Sequence, residues 1–534
     1  MRRRVALGLL VGFNLGLFAW TVWIRAPWFG RISPGENNGT AAALKFARQW
    51  YAEGAVSLRF AMIENPRSVE FADLAEREPY VSYPPGAILP IHLVGLVAGE
   101  PTARLVMGYN LGNQFLVALL VSITVFLLLT QAGLAPPHAL ALSAGSSAVY
   151  LTLPGPLYWH QHYWFADTAV MLPFALILFC EAMRDEPLSP WGRRVAAGIQ
   201  SAALAVALLT DWLGLFVLLA LYSIRLARRR LPRSRDHALF WTPALVAGVL
   251  FGVQLLAIGG GLRGLWAKLA ARTDWGSTAS GFVREFWLSS VPTSLGGASV
   301  PLLVGAAILL GWRIGRRNKG DEAETRLLSM AALALLPGLV QTAFFMQHST
   351  LHDFAALKLA IPLAIIPFAL APVLLIRRFA PRDLDSRPGL IVTSIAALTA
   401  LYVGVELPRA LDRFVAPGSG IAAVPSSLGE AVRRHARYED VLFSPDFQIP
   451  SYPSWTLCHS MKRVYPAASP DEIRDRSGRI PRPHRSVLLF LDPPDAEWTR
   501  RLGGGAKPIA SESVDVLGPG GPKTLRFYEL PPGF

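Results

Sequence analysis

Between its polar stretches the chain carries apolar blocks of about twenty residues, the helix length that a bilayer's hydrocarbon core demands. Blocks this long and this poor in charge are not kept in water, so the chain reads as a bundle of membrane-crossing helices before any residue has a role. Composition agrees. Of 534 residues, 52% are hydrophobic and 16% charged, with a mean hydropathy of +0.36, whereas soluble proteins carry about 25% charged residues. A cytosolic globular enzyme is thereby excluded. The net charge of +14 lies in the loops between blocks, which speaks for membrane orientation and against nucleic acid as a partner. Two cysteines, Cys180 and Cys458, cannot build a disulfide framework.

The pattern predicts eleven spans, near 5–24, 104–130, 137–153, 168–183, 195–211, 212–224, 238–258, 298–312, 327–345, 359–376 and 389–405. The first follows Arg2-Arg3-Arg4 and leaves through Trp23-Ile24-Arg25-Ala26-Pro27-Trp28. With no small-x-small cleavage site there, it reads as an uncleaved helix with a cytoplasmic N-terminus. On that alternation the inner loops hold 21 Arg and Lys and the short outer loops five, as the positive-inside rule requires. Pro84 to Ala98 is too short to cross comfortably and is expected as an interfacial or re-entrant helix on the outer face. Two large outer regions follow: a first loop, 25–103, and a tail. The chain thus divides into a membrane domain, 1–405, and an extracytoplasmic domain, 406–534. Strand-like runs at 440–443, 486–491 and 525–530, with a helical stretch at 469–476, predict a small α/β fold for the tail.

Polar residues in so apolar a chain are the functional candidates, because ionisable groups at membrane depth are costly. Four outward clusters stand out. In the first, Glu36, Asn37 and Asn38 precede an amphipathic helix whose apolar face is Ala43, Phe46, Ala47 and Trp50, with Lys45, Arg48 and Gln49 elsewhere. Such a helix is expected to lie along the membrane surface; Glu36 either does chemistry or merely favours the helix N-terminus. Asn38-Gly39-Thr40 also fits a glycosylation sequon. The second is Tyr80-Val81-Ser82-Tyr83-Pro84-Pro85-Gly86, where paired prolines fix an extended turn. The third runs from Tyr158 to Asp167 through His160 and His162. Asp167 is either a functional acid or a helix cap, and a metal site of His160, His162 and Asp167 is the weaker reading. The fourth is Gln347 to Phe354 with Lys358 beyond it; His348 and His352 share a helical face. Donors and a cation at interface depth suit a lipid phosphate, while a snorkelling lysine is the plain alternative. Arg263, Lys268, Arg272 and Arg284 in the loop 259–297 are further headgroup candidates.

One span, a long outer loop with an acid near its start, the helix Ala43-Leu44-Lys45-Phe46-Ala47-Arg48, the Tyr83-Pro84-Pro85-Gly86 turn and His352-Asp353-Phe354 before a span together resemble the GT-C glycosyltransferases. These are polyprenyl-phosphate-sugar-dependent enzymes related to the protein O-mannosyltransferases and the lipid A aminoarabinose transferases. The family usually has Asp in its first loop, where this chain has Glu36; Asp167 matches its second acidic position. The resemblance implies an all-α polytopic membrane protein of about eleven spans, with outer-face interfacial helices and the small α/β tail. It implies inverting transfer of a sugar from a polyprenyl phosphate to a hydroxyl of a lipid, glycan or protein acceptor, in the cytoplasmic membrane with its chemistry on the outer face. Glu36 and Asp167 would be the catalytic carboxylates, and Lys358, His348, His352 and Arg272 would hold the lipid phosphate. Asn38, Arg48, Tyr83, Pro84, Pro85, His162 and Asp353 would shape the cavity, with no metal or other cofactor required. The alternatives are a lipid-linked glycan transporter or flippase, disfavoured by spans nearly free of charge, and a non-catalytic relative.

Overall fold

A computed structural model of the protein describes residues 2–30, 39–228, 234–258, 260–273, 279–315, 322–379, 388–415, 426–446, 459–494, 496–502, 505–515 and 521–531. Glu36 and Asn38 of the expected site, and Cys458, lie outside these residues.

Among the described residues seven helices are long and apolar enough to cross a membrane: Arg3–Trp28, Ala103–Gln131, Ala166–Met183, Phe240–Ala257, Glu322–Phe344, Asp353–Arg377 and Gly389–Asp412. A bent pair, Ala279–Leu295 with Ser299–Arg313 turned by 108°, makes an eighth if counted as one span. The other three expected spans are helices as well, Pro136–Thr152, Pro190–Leu208 and Leu213–Ala227. The chain is a multi-pass membrane protein. Local sequence sets several ends: Thr102 caps Ala103–Gln131 by accepting from Leu105 N at 3.2 Å, and Ser189 with Pro190 opens Pro190–Leu208. The last helix, Pro388–Val415, continues ten residues past position 405.

The first loop folds against the bundle. Its helix Gly39–Glu53 buries the expected apolar face, Ala43, Phe46, Ala47 and Trp50, in one cluster with Leu157, Trp164, Phe165 and Phe354. Lys45, Arg48 and Gln49 are buried too. Lys45 is ion-paired to Glu64; Arg48 donates to Pro101 O at 2.9 Å and meets Glu100 at 3.3 Å. From Gly39 to Trp50 the helix is buried but for a partly covered Ala42, so it packs within the protein, which corrects the expectation of one lying on the membrane surface. The loop then makes a two-stranded ribbon, β1 (Met62–Ile63) with β2 (Pro79–Tyr80), and reaches the expected short helix, Leu89–Ala98.

The tail is an α/β domain on a five-stranded sheet of order β4-β3-β5-β7-β6, where β3 is Asp440–Ser444, β4 Val464–Pro466, β5 Arg485–Leu491, β6 Lys507–Val514 and β7 Lys523–Glu529. β4, β3 and β5 run parallel; β7 and β6 are antiparallel additions. Alternation along β5 sends Val487 and Leu489 to one face with Ala431 and Val432, and Leu488 and Phe490 to the other with Ile473 and Trp498. Val69 from the first loop completes the second face. Around it Arg482 pairs with Asp73 and Glu76 at 3.0 and 2.8 Å, and Arg463 donates to Asn65 at 2.9 Å.

Candidate active site

Three turns meet at one end of the bundle. The turn Tyr83-Pro84-Pro85-Gly86 is clipped to the two segments that carry buried acids. Gly86 N donates to Leu209 O at 2.8 Å, Trp212 Nε1 to Ser82 O at 3.0 Å, and Trp164 Nε1 to Ala87 O at 2.9 Å. Position 86 must be glycine for this, because a Cβ would sit 2.3 Å from Leu209 O. Pro84 is extended and Pro85 opens the short 3₁₀ turn Pro85–Ala87. From the far side, Gly338 lets the helix Glu322–Phe344 approach the backbone of Lys358, whose carbonyl oxygen lies 2.8 Å from where a Cβ would stand.

These contacts place Asp167, Lys358 and Asp211 together, each at most 1% exposed. Lys358 Nζ is 2.7 Å from Asp167 Oδ1 and 3.5 Å from Asp211 Oδ2. Asp211 is held by Leu213 N at 2.6 Å and Gln341 Nε2 at 2.7 Å, both donating to its Oδ1. Tyr163 donates to Asp167 Oδ2 at 3.4 Å. Asp167 is therefore an ion-paired acid and not a side-chain helix cap, and Lys358 is not a snorkelling surface charge. Asp211 and Gln341 are the partners missing from the expected site. The signal for Asp211 was present as the lone acid between the blocks 195–211 and 212–224.

Tyr83 OH and His348 Nε2 are 3.0 Å apart, His348 Nε2 is 3.8 Å from Asp167 Oδ1, and the Arg272 guanidinium lies 4.7 Å from the centroid of the Tyr83 ring. Burial, reinforced by Arg272 and Lys358 against the pull of Asp167, pushes the His348 pKa down to about 3. It is neutral at pH 7 and serves as a hydrogen-bonding ring, not a cation. Burial raises the Tyr83 phenol well above its ordinary range, with Asp167 adding to the effect. Burial opposes the charge of Arg272, but Tyr83, Tyr80 and Asp167 outweigh it and hold the guanidinium above its usual pKa. Among the described residues no carboxylate lies within ion-pair distance of Arg272, and Asp167 acts on its charge only from further away. His352 stacks on Phe354, centroids 4.8 Å apart, and Phe354 stacks on Tyr163 at 4.1 Å, forming an aromatic wall beside His348.

The remaining expected residues lie elsewhere. The His162 ring packs 5.0 Å from Tyr158, and its carbonyl accepts from Thr40 at 2.8 Å. Asp353 starts the 3₁₀ turn that leads to Lys358, its carbonyl accepting from Ser294 at 3.3 Å. Arg48 faces the tail, near His459 O. His160 contacts Tyr150 at 2.9 Å and Asn110 at 3.0 Å through its two ring nitrogens. Among the described residues no three His, Cys, Asp or Glu are grouped to hold a metal.

The fold is shared with solved membrane proteins. The chain matches ArnT from Cupriavidus metallidurans bound to undecaprenyl phosphate with a TM-score of 0.51, at 13% identity over 97% of each chain. It matches the oligosaccharyltransferase AglB from Archaeoglobus fulgidus, in complex with an inhibitory peptide and a dolichol-phosphate, with a TM-score of 0.50 at 10% identity, covering 92% of this chain and 69% of that one. At these identities the likeness is one of fold. No protein-family model matches the sequence, and no curated protein does.

Proposed function

We propose that the protein is an integral membrane glycosyltransferase that moves a sugar from a polyprenyl phosphate to an acceptor hydroxyl at the outer face of the cytoplasmic membrane, with inversion. The observation that carries this reading is the buried Asp167–Lys358–Asp211 cluster with Arg272 beside it, on a fold shared with proteins solved with undecaprenyl phosphate and dolichol-phosphate. In the reaction the acceptor oxygen attacks the anomeric carbon, the bond from that carbon to the phosphate oxygen breaks, and the acceptor proton passes to a carboxylate. A phosphate leaving group needs charge stabilisation more than protonation. Arg272 is the cation best suited to it, since the charge of Lys358 is already shared by two acids. Glu36 is the assigned base. Thr40, four residues after it, is anchored to His162 O and Trp164 N at 2.8 and 3.0 Å, a tether of at most about 14 Å. Asp167, with Lys358 and Asp211, fixes the polar floor on which the donor rests. No metal is called for, and a chelator should leave turnover unchanged.

The test is release of free polyprenyl phosphate by purified protein offered a panel of polyprenyl-phosphate monosaccharides and candidate acceptors. Loss of at least 100-fold in Glu36→Gln, with folding intact, is expected. Activity that survives Glu36→Gln but not Asp167→Asn moves the base to Asp167, and no release from any donor removes the proposal.

A further inference from the structure

A second polar site lies away from this cluster and shares no lining residue with it. Arg25 ends the first span and is 1% exposed. Its Nε donates to Thr21 O at 2.8 Å, Nη1 to Leu157 O at 2.7 Å, and Nη2 to Thr21 Oγ1 and Gln114 Oε1 at 3.1 and 3.0 Å. Every acceptor is a neutral oxygen. Among the described residues no carboxylate pairs with Arg25. A charge buried among neutral acceptors lacks, among the described residues, the counter-ion that such groups ordinarily keep.

Arg25 lines a cleft of about 430 Å³, within the size range of small-ligand sites. Gln161 lines it too, and while its Nε2 donates to Arg25 O at 3.2 Å, its buried Oε1 has no hydrogen-bond partner. The walls are apolar, with Phe18 from the first span and Leu111 from the helix Ala103–Gln131. On that helix Gly108 and Gly112 leave the space open: a Cβ at 112 would meet nothing within 4 Å. Arg104 stands one turn before Gly108 on the same face, exposed to the surroundings. The first span is buried over only 22% of its apolar window, so its flank is left to the bilayer.

We infer that this cleft binds an anionic phospholipid of the bilayer, its phosphate at Arg25, a headgroup hydroxyl at Gln161 and an acyl chain along Gly108 and Gly112. The guanidinium, whose acceptors are all neutral, asks for one with negative charge, and the unpaired amide oxygen of Gln161 asks for a donor. A phosphate diester bearing a glycerol headgroup offers both on one molecule, with an apolar chain for the glycine-lined wall.

The experiment is native mass spectrometry of the purified full chain, titrated with phosphatidylglycerol, diacylglycerol or a polyprenyl phosphate. Phosphatidylglycerol should be retained at least tenfold more strongly than diacylglycerol. Gly112→Leu, whose Cβ meets nothing within 4 Å, places a branched side chain on the wall of the cleft and should abolish that preference, as should Arg25→Gln if it folds. Polyprenyl-phosphate release should persist in Gly112→Leu. Equal retention of phosphatidylglycerol and diacylglycerol, undiminished phosphatidylglycerol binding in Gly112→Leu, or Gly112-dependent retention of the polyprenyl phosphate alone would each overturn the inference.

Discussion

Removing the ammonium from between its two acids is the sharpest probe of the cluster. In Lys358→Met, Asp167 and Asp211 would remain buried together without their cation, having lost contacts of 2.7 and 3.5 Å. At an effective dielectric of about 20 those contacts are worth about 6 and about 5 kcal/mol of attraction. Desolvation of the lysine offsets much of this, and breaking a buried pair by deleting one partner costs about 3–5 kcal/mol in total. Lys358→Met should therefore melt far below the wild type in detergent, followed by tryptophan fluorescence. Deleting one acid as well, in Lys358→Met/Asp211→Asn, should return part of the loss, because one carboxylate near Arg272 is tolerated better than two. The coupling between the two substitutions should be about 1–3 kcal/mol. A Lys358→Met protein that melts with the wild type, or a double variant whose losses simply add, would refute the account of the cluster as one electrostatic unit.

Gly86→Ala should slow turnover at least tenfold while leaving the tail folded, because the new Cβ forces the Tyr83 turn off Leu209; hydrogen exchange of the amide at 86 would report the broken contact. Acid should weaken the fold below about pH 6.5, since burial keeps His348 and His160 at about 3 and His459 at about 4, so the unfolded chain takes up protons that the native one refuses. Each of the first two costs about 2 kcal/mol by pH 5, and a His348→Gln variant should show a shallower loss in melts run from pH 7.5 to 4.5. Glu100→Ala removes the acid that meets Arg48 at 3.3 Å and Arg433 at 2.7 and 3.0 Å; the Arg433 contact is exposed, so the melting loss should stay within about 1 kcal/mol.

Periodicity and charge made the architecture legible. Each apolar block is a helix, and the runs at 440–443, 486–491 and 525–530 are strands because short β-rich alternation between turn residues has few other uses. β4 and β6 escaped notice: Val464–Pro466 is only three residues, and Lys507–Val514 is too polar to carry an apolar alternation. Of the site, Asp167, Lys358 and His348 are readable as polar groups at span ends and Arg272 and Tyr83 as polar groups of the outer loops, but their mutual contacts are not. Which acid answers Lys358 depends on how the turns at 83–86 and 209–212 dock, and no local pattern encodes a contact between residues more than a hundred positions apart. The same limit misled the reading of Gly39–Glu53, whose period reveals an apolar face but not that the tail and the turn near Pro101 cover the other.

The seam between the first loop and the tail has a consequence for how the protein is made. Val69 fills a face of a sheet whose first strand begins some 370 residues later, and Arg482 and Arg463 reach back 409 and 398 residues to Asp73 and Asn65. At about 5–20 residues per second of synthesis, residues 65–76 wait roughly 20–75 s for their partners while the spans are being inserted. Assembly of this protein therefore closes from its two ends together, and a ribosome that stops before residue 440 releases a bundle in which residues 65–76 of the first loop lack their partners in the tail.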